Sequence, residues 1–298
     1  MTNSSPISRG LTLGLSTLAV TLSCLINPVL AGDPFRIDNP KDYISDRTES
    51  AFEAIFQEGN YPQAKVLLTE ESLENTIDPL PYAMIAALAY IEADWTTFQS
   101  YGGKTLEIAQ QLTAQDPLRG HLYTAVGHFL EGAYIYKTES PLGALTKLQQ
   151  VFRSLDQAGK IDPNDPELSL IKGYMDLMLA VNLPFSSPEN AIAQFPENAA
   201  PLYLVDRGIA VAYRDLEQYE KALTSVNKAL ALAPDNPELY YLRAQILYHK
   251  GKETRDTTLL NASLADLDRA YEKRNQLPEF IVEAINRERR LVEERLTR

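Results

Sequence analysis

The chain is poor in the residues that build small stapled or catalytic scaffolds. Its 298 residues include one cysteine, Cys24, which excludes a disulfide framework and a cysteine-rich zinc module. There are three histidines, His121, His128 and His249, few for metal ligation. The 14 glycines form no phosphate-cradling loop and no Gly-x-Ser-x-Gly elbow; Gly102-Gly103 is an isolated pair inside a helical stretch. Basic residues are outnumbered 28 to 40, for a formal net charge of −12. Phosphate backbones repel such a chain, so nucleic acid is disfavoured as a partner. Strand signals are missing too: there is no run of alternating β-branched residues and no Asn-Gly or Asp-Gly turn. What remains is a globular composition, 45% hydrophobic and 23% charged.

The long apolar run Leu11–Ile26 stands near the N-terminus, after a short polar stretch with the single cation Arg9. It is interrupted by Thr and Ser and is short for a membrane span. Asn27-Pro28 follows, and Val29-Leu30-Ala31 carries the small-residue pattern of a cleavage site. Residues 1–31 therefore read as a signal peptide. Export to a periplasm or a thylakoid lumen is expected. An uncleaved anchor and a lipidated Cys24 are the alternatives. Cleavage after Ala31 would leave a chain without cysteine, suited to an oxidising compartment, and without a stable membrane span. Residues 32–45 read as a polar linker.

From residue 46 onward apolar residues recur at three and four, as in Ala83, Ala86, Ala87, Tyr90 and in Leu223, Val226, Leu230. The pattern predicts an all-α chain. A cap residue followed by proline starts a helix, because proline at the first helical position gives up an N–H that has no partner there. Such starts stand at Asp116-Pro117, Ser140-Pro141, Asp165-Pro166, Ser187-Pro188 and Asn236-Pro237, with Asp78-Pro79-Leu80-Pro81 and Leu277-Pro278 similar. Pro81 to Pro117 is 36 residues, Pro166 to Pro201 is 35 and Pro201 to Pro237 is 36. A period in the mid-thirties means one helix-turn-helix unit per repeat. Pro117 to Pro166 is longer, at 49, which predicts a lengthened second helix and a double Asp-Pro turn. Pro237 to Pro278 is 41, with a polar insertion around Lys252–Thr258.

The stretch Asp206–Pro234 places Ala210, Tyr213, Tyr219, Ala222, Ala229 and Pro234 at the spacing of a tetratricopeptide repeat. It resembles that family. The next unit begins with Tyr240, Arg243, Ala244 and Leu247, and Gly59, Tyr61 and Ala64 stand at matching steps near the start. The resemblance is clearest over 201–275. Units between 79 and 196 match by period alone, and their register stays open. Asp206 stands where the family has a large residue, and Val226 where it has an aromatic. The resemblance implies a right-handed superhelical solenoid of about five to six helix pairs over 46–298, closed by a charged capping helix at 278–296. In style the chain is also similar to exported tetratricopeptide proteins of bacterial, especially cyanobacterial, envelopes.

No residue set selects a catalytic chemistry, and no cofactor is expected. His121, His128 and Glu131 share a helical face, but two turns separate the imidazoles, far for one metal ion; a hydrolase or metal-binding role is the remote alternative. The arginines Arg287, Arg289, Arg290, Arg295 and Arg298 could meet an anionic membrane or an acidic partner, yet interleave with Glu283, Glu288, Glu293 and Glu294 as intrahelical pairs do. The resemblance implies a non-catalytic scaffold or adaptor holding a protein or peptide in its concave groove. Carried over, the groove positions are Arg207, Val211, Arg214 and Asp215 in one unit and Tyr241, Gln245, Tyr248 and His249 in the next. The partner-binding candidates are Arg207, Arg214, Tyr241, Gln245 and Tyr248. The family's chaperone-tail clamp of Lys and Asn is absent at these positions. A transient assembly or secretion factor for envelope or lumenal complexes is the alternative function.

Overall fold

At three of the starts that proline marks in the sequence, the residue before the proline caps the helix. In a computed structural model that describes residues 32–69, 73, 76–139, 141–182, 191, 192, 195 and 197–297, Asp116 accepts the Arg119 N–H at 3.1 Å. Asp165 accepts that of Leu168 at 2.9 Å, and Asn236 that of Glu238 at 2.9 Å. Each bond satisfies one of the N–H groups that a helix start leaves orphaned. The signal-peptide segment, Cys24, Ser140, Ser187-Pro188 and Arg298 lie outside the described residues. Among those described, no helix is long and apolar enough to cross a membrane.

The helices are α1 (Asp46–Phe56), α2 (Tyr61–Leu67), α3 (Leu80–Ile91), α4 (Trp95–Leu112), α5 (Pro117–Thr138), α6 (Pro141–Ile161), α7 (Pro166–Asn182), α8 (Leu202–Asp215), α9 (Tyr219–Leu232), α10 (Pro237–Thr254), α11 (Thr257–Glu272) and α12 (Glu279–Leu296). They pack as sequential pairs into an all-α helical-repeat solenoid. The long interval from Pro117 to Pro166 is taken up differently from the sequence expectation. Both helices are lengthened, α5 to 22 residues and α6 to 21. The insertion after Lys252 extends α10 as helix until Arg255 turns left-handed and Asp256 caps α11.

Residues 32–45 are not a polar linker. Phe35 and Ile44 are buried, and Arg36 threads between carboxylates: its guanidinium donates to Asp165 at 2.8 Å, Glu167 at 2.9 Å and Asp33 at 3.0 Å. Arg119, fully buried, donates to Glu167 at 2.8 Å and Asp78 at 3.0 Å and stacks 4.8 Å over the Tyr123 ring. The Tyr123 hydroxyl donates to Glu167 at 2.6 Å. Tyr43 and Lys41 reach Asp116 at 2.9 and 2.7 Å. The segment thus crosses the N-terminal ends of α5 and α7, because an arginine with five donors can bridge several caps at once.

The first pair also meets the start of α10 and, through it, α8. Asn236 caps α10 with one side-chain atom and, with its amide nitrogen, donates to Phe56 O at 3.1 Å. The Tyr61 hydroxyl donates to Glu238 at 2.5 Å, and Glu238 also pairs with Arg207. Gly59 makes this approach possible: its φ is +65°, and a Cβ there would stand 2.9 Å from Asn236 Oδ1 and Pro237 Cδ. The inner helices are therefore gathered around a shared interior. At the far end α12 buries only Ile285 and Val292 among its 18 residues. Of its arginines, Arg289 reaches across to Asp268 at 2.6 Å instead of pairing along the helix.

Gly59→Val should cost about 2–4 kcal/mol through the positive φ and the clash at this seam, whereas Gly103→Ala, whose Cβ meets nothing within 4 Å, should be neutral or stabilising by up to about 1 kcal/mol; urea denaturation of the two variants measures both. A second expectation concerns acid. Burial pushes the Glu167 carboxyl up, but Arg119 and Arg36 outweigh it and hold the group down at about 2, from an ordinary 4.5. The stability this confers is complete above the unfolded value near 4.5 and is lost as pH falls towards 2. Burial raises Asp78 and Asp165 instead, so these take up protons first and soften the fall. Urea midpoints at stepped pH should drop between about 4.5 and 2, and Glu167→Gln should start lower at neutral pH and vary less over that range.

Candidate functional site

The inner helices α3, α5 and α7 start at the charge cluster and run away from it side by side. Residues three and four apart on one helix share a face, so each helix offers a strip of side chains to the interior. Leu80, Met84 and Ala87 form that of α3, Tyr123, Val126 and Phe129 that of α5, and Leu170, Tyr174 and Met178 that of α7. α8 adds Leu204, Arg207, Val211 and Asp215, α1 adds Phe52 and Phe56, and Phe35 closes the charged end. Together they enclose a cavity of about 800 Å³. Its floor is buried, at Phe35, Leu80 and Tyr123, and its mouth is exposed, at Ala87, Phe129 and Asp215.

The lining is almost wholly apolar, and its few polar groups are already engaged. The Tyr174 hydroxyl donates to Leu204 O at 2.7 Å, and Arg207 is held by Glu238. From Leu204 to Asp215 the wall of α8 rises about 16 Å.

The sequence-derived candidates separate into two roles. Arg207 belongs to the seam, with Glu238 and Tyr61. Arg214, Gln245 and Tyr241 come together at the rim: Arg214 donates to Gln245 at 2.7 Å, Gln245 donates to Glu288 at 3.0 Å, and the Tyr241 hydroxyl donates to the same carboxylate at 2.6 Å. Burial and Glu288 push the Tyr241 hydroxyl up, which keeps it a donor. Tyr248 packs with the terminal cluster and lies edge-on to His249, 5.6 Å between ring centres. Val211 and Asp215 line the upper cavity wall. The remaining candidate set is dispersed: His128 Nδ1 lies 3.2 Å from Glu131, whose other contact is Lys147 at 2.6 Å. No group of three or more His, Cys, Asp or Glu among the described residues stands close enough to hold a metal ion.

Residues 211–251 match the family model of the TPR repeat. The match covers the end of α8, α9 and most of α10, the wall that carries the rim candidates. A crystal structure of a thermophilic TPR protein from Thermus thermophilus is 19% identical, with 83% of this chain and 97% of that chain covered at a TM-score of 0.31. No curated protein matches the chain significantly.

Sequence reasoning named Arg207, Val211 and Asp215 of the α8 wall and missed the rest of the cavity, because α3, α5 and α7 lie in units without the repeat signature. One signal could have found it. The chain has four methionines, and each one after Met1, namely Met84, Met175 and Met178, lines the cavity.

Arg207→Ala should cost about 1–3 kcal/mol, because it leaves the buried Glu238 short of its charged partner, whereas Arg214→Ala, a rim side chain near solvent, should cost less than about 1 kcal/mol. Thermal unfolding followed by circular dichroism compares them.

Proposed function

We propose that the chain is a non-catalytic interaction scaffold, exported from the cytoplasm, that holds a partner protein at the rim of its inner face. Repeats of this kind mediate protein–protein interaction, and the repeat match at 211–251 carries the reading. It coincides with the rim side chains Arg214, Gln245 and Tyr248 and the neighbouring His249. Arginine and tyrosine combine apolar area with hydrogen bonding and anchor interfaces well. Beyond Phe129 the tip of the α5–α6 pair exposes Tyr136, Leu142 and Leu145, 65%, 76% and 53% accessible, an apolar surface of the sort that marks interaction sites. Export rests on the pattern of residues 1–31, and a periplasmic or lumenal partner follows from it.

A photo-reactive phenylalanine analogue placed at Tyr248, and separately at the outward Val66 of α2, in residues 32–298 tests the reading in native envelope extract. A partner should crosslink from the Tyr248 position and not from Val66. Leu142→Ser with Leu145→Ser should reduce its capture at least tenfold without changing the melting temperature by more than a few degrees. Capture from Val66 alone would move the interface to the outer face and overturn the rim assignment.

A further inference from the structure

The cavity itself has a chemistry that a scaffold does not require. We infer that it is a binding site for a single long acyl chain, entered tail-first with the polar end left at the mouth. The inference stands independently of the scaffold reading. Three physical tests of an occupant lead to it.

Size comes first. Apolar cavities of about 150 Å³ already stay dry and take up benzene; this one is about 800 Å³, within the range of ligand sites. Its depth of about 16 Å along α8 admits a long guest.

Polarity is the second test. An extended peptide is also a long guest, but it carries an N–H and a C=O at every residue, and each group needs a partner once buried. The walls offer Leu, Phe, Met, Val and Ala, and the polar side chains Tyr174 and Arg207 are already bonded. A hydrocarbon chain has no such demand, and burying it removes apolar surface from water on both sides.

The third test is plasticity. Met84, Met175 and Met178 have unbranched, flexible thioether side chains, which adapt to guests of varied shape. Their concentration here suits a flexible chain better than a rigid ring system. At the mouth Asp215 is exposed and Arg214 stands beside it, 2.8 Å away, so a polar end meets charged groups and water instead of apolar wall. At the other end Phe35, anchored through Arg36 by the charge cluster, shuts the floor, so the guest has one way in.

The experiment uses the full-length protein, stripped of bound lipid by organic extraction under native conditions, and the fluorescent polyene fatty acid cis-parinaric acid as the probe. Saturable fluorescence enhancement at one probe per chain is the expected result. Ala87→Trp, at the exposed mouth on α3, should weaken it at least tenfold. Gln110→Trp, on the exposed outer face of α4, should leave it unchanged, and equal melting temperatures would show that both variants fold. Lysophosphatidylcholine should displace the probe. Unsaturable binding, or binding indifferent to Ala87→Trp, would overturn the assignment. Displacement by an apolar hexapeptide as effective as that by the lysolipid would overturn the choice of hydrocarbon over backbone.

Discussion

The buried ion cluster around Arg119 and Glu167 is the constraint to which the rest of the structure answers. Two guanidiniums and a set of carboxylates are removed from water there, and such burial is tolerable only when every charge has close partners. Arg119 bridges Asp78 at the start of α3 and Glu167 at the start of α7. Arg36 ties the same carboxylate to Asp165 and Asp33. Removing one member of such a set leaves an uncompensated charge, typically at about 3–5 kcal/mol. The cluster thereby sets the helix starts side by side and holds the N-terminal segment across them. That segment in turn brings Phe35 to the bottom of the interior.

The seam on the opposite wall completes the enclosure. A solenoid in which each pair touches only its neighbours leaves its inner face open. Here Asn236 serves both its own helix and the carbonyl of Phe56, and Glu238 joins Tyr61 to Arg207. Contacts between the first pair and residues far along the chain thus convert a one-dimensional stack into a closed wall. The inner face then divides into an apolar cavity over α1, α3, α5, α7 and α8 and a polar rim over α8, α10 and α12. The two surfaces suit different chemistry, hydrocarbon inside and a protein surface outside.

Much of the fold was legible in the order of residues. Cap-proline pairs, three- and four-residue apolar spacing and the mid-thirties period are local signals, and they state helix starts, helix pairing and an all-α repeat. The rim residues Arg214, Gln245 and Tyr241 were legible for the same reason, since they sit in the unit where the signature is clearest. Arg207 was found by position but its role was not, because its partner Glu238 acquires meaning only through Tyr61 on a distant helix. The segment 32–45 was misread as a linker: Arg36 and Asp33 look solvated in isolation, and a charge that will be buried carries no local mark of it.

By itself the sequence determined the helices, their caps and their pairing, because those depend on neighbours within a few turns of chain. Tertiary structure alone decided that the first pair meets α8 and α10, that the N-terminal segment closes one end, and that three scattered methionines line one cavity. Closure depends on the sum of many small rotations between pairs and on a few long-range bonds, and no local window of sequence contains that sum.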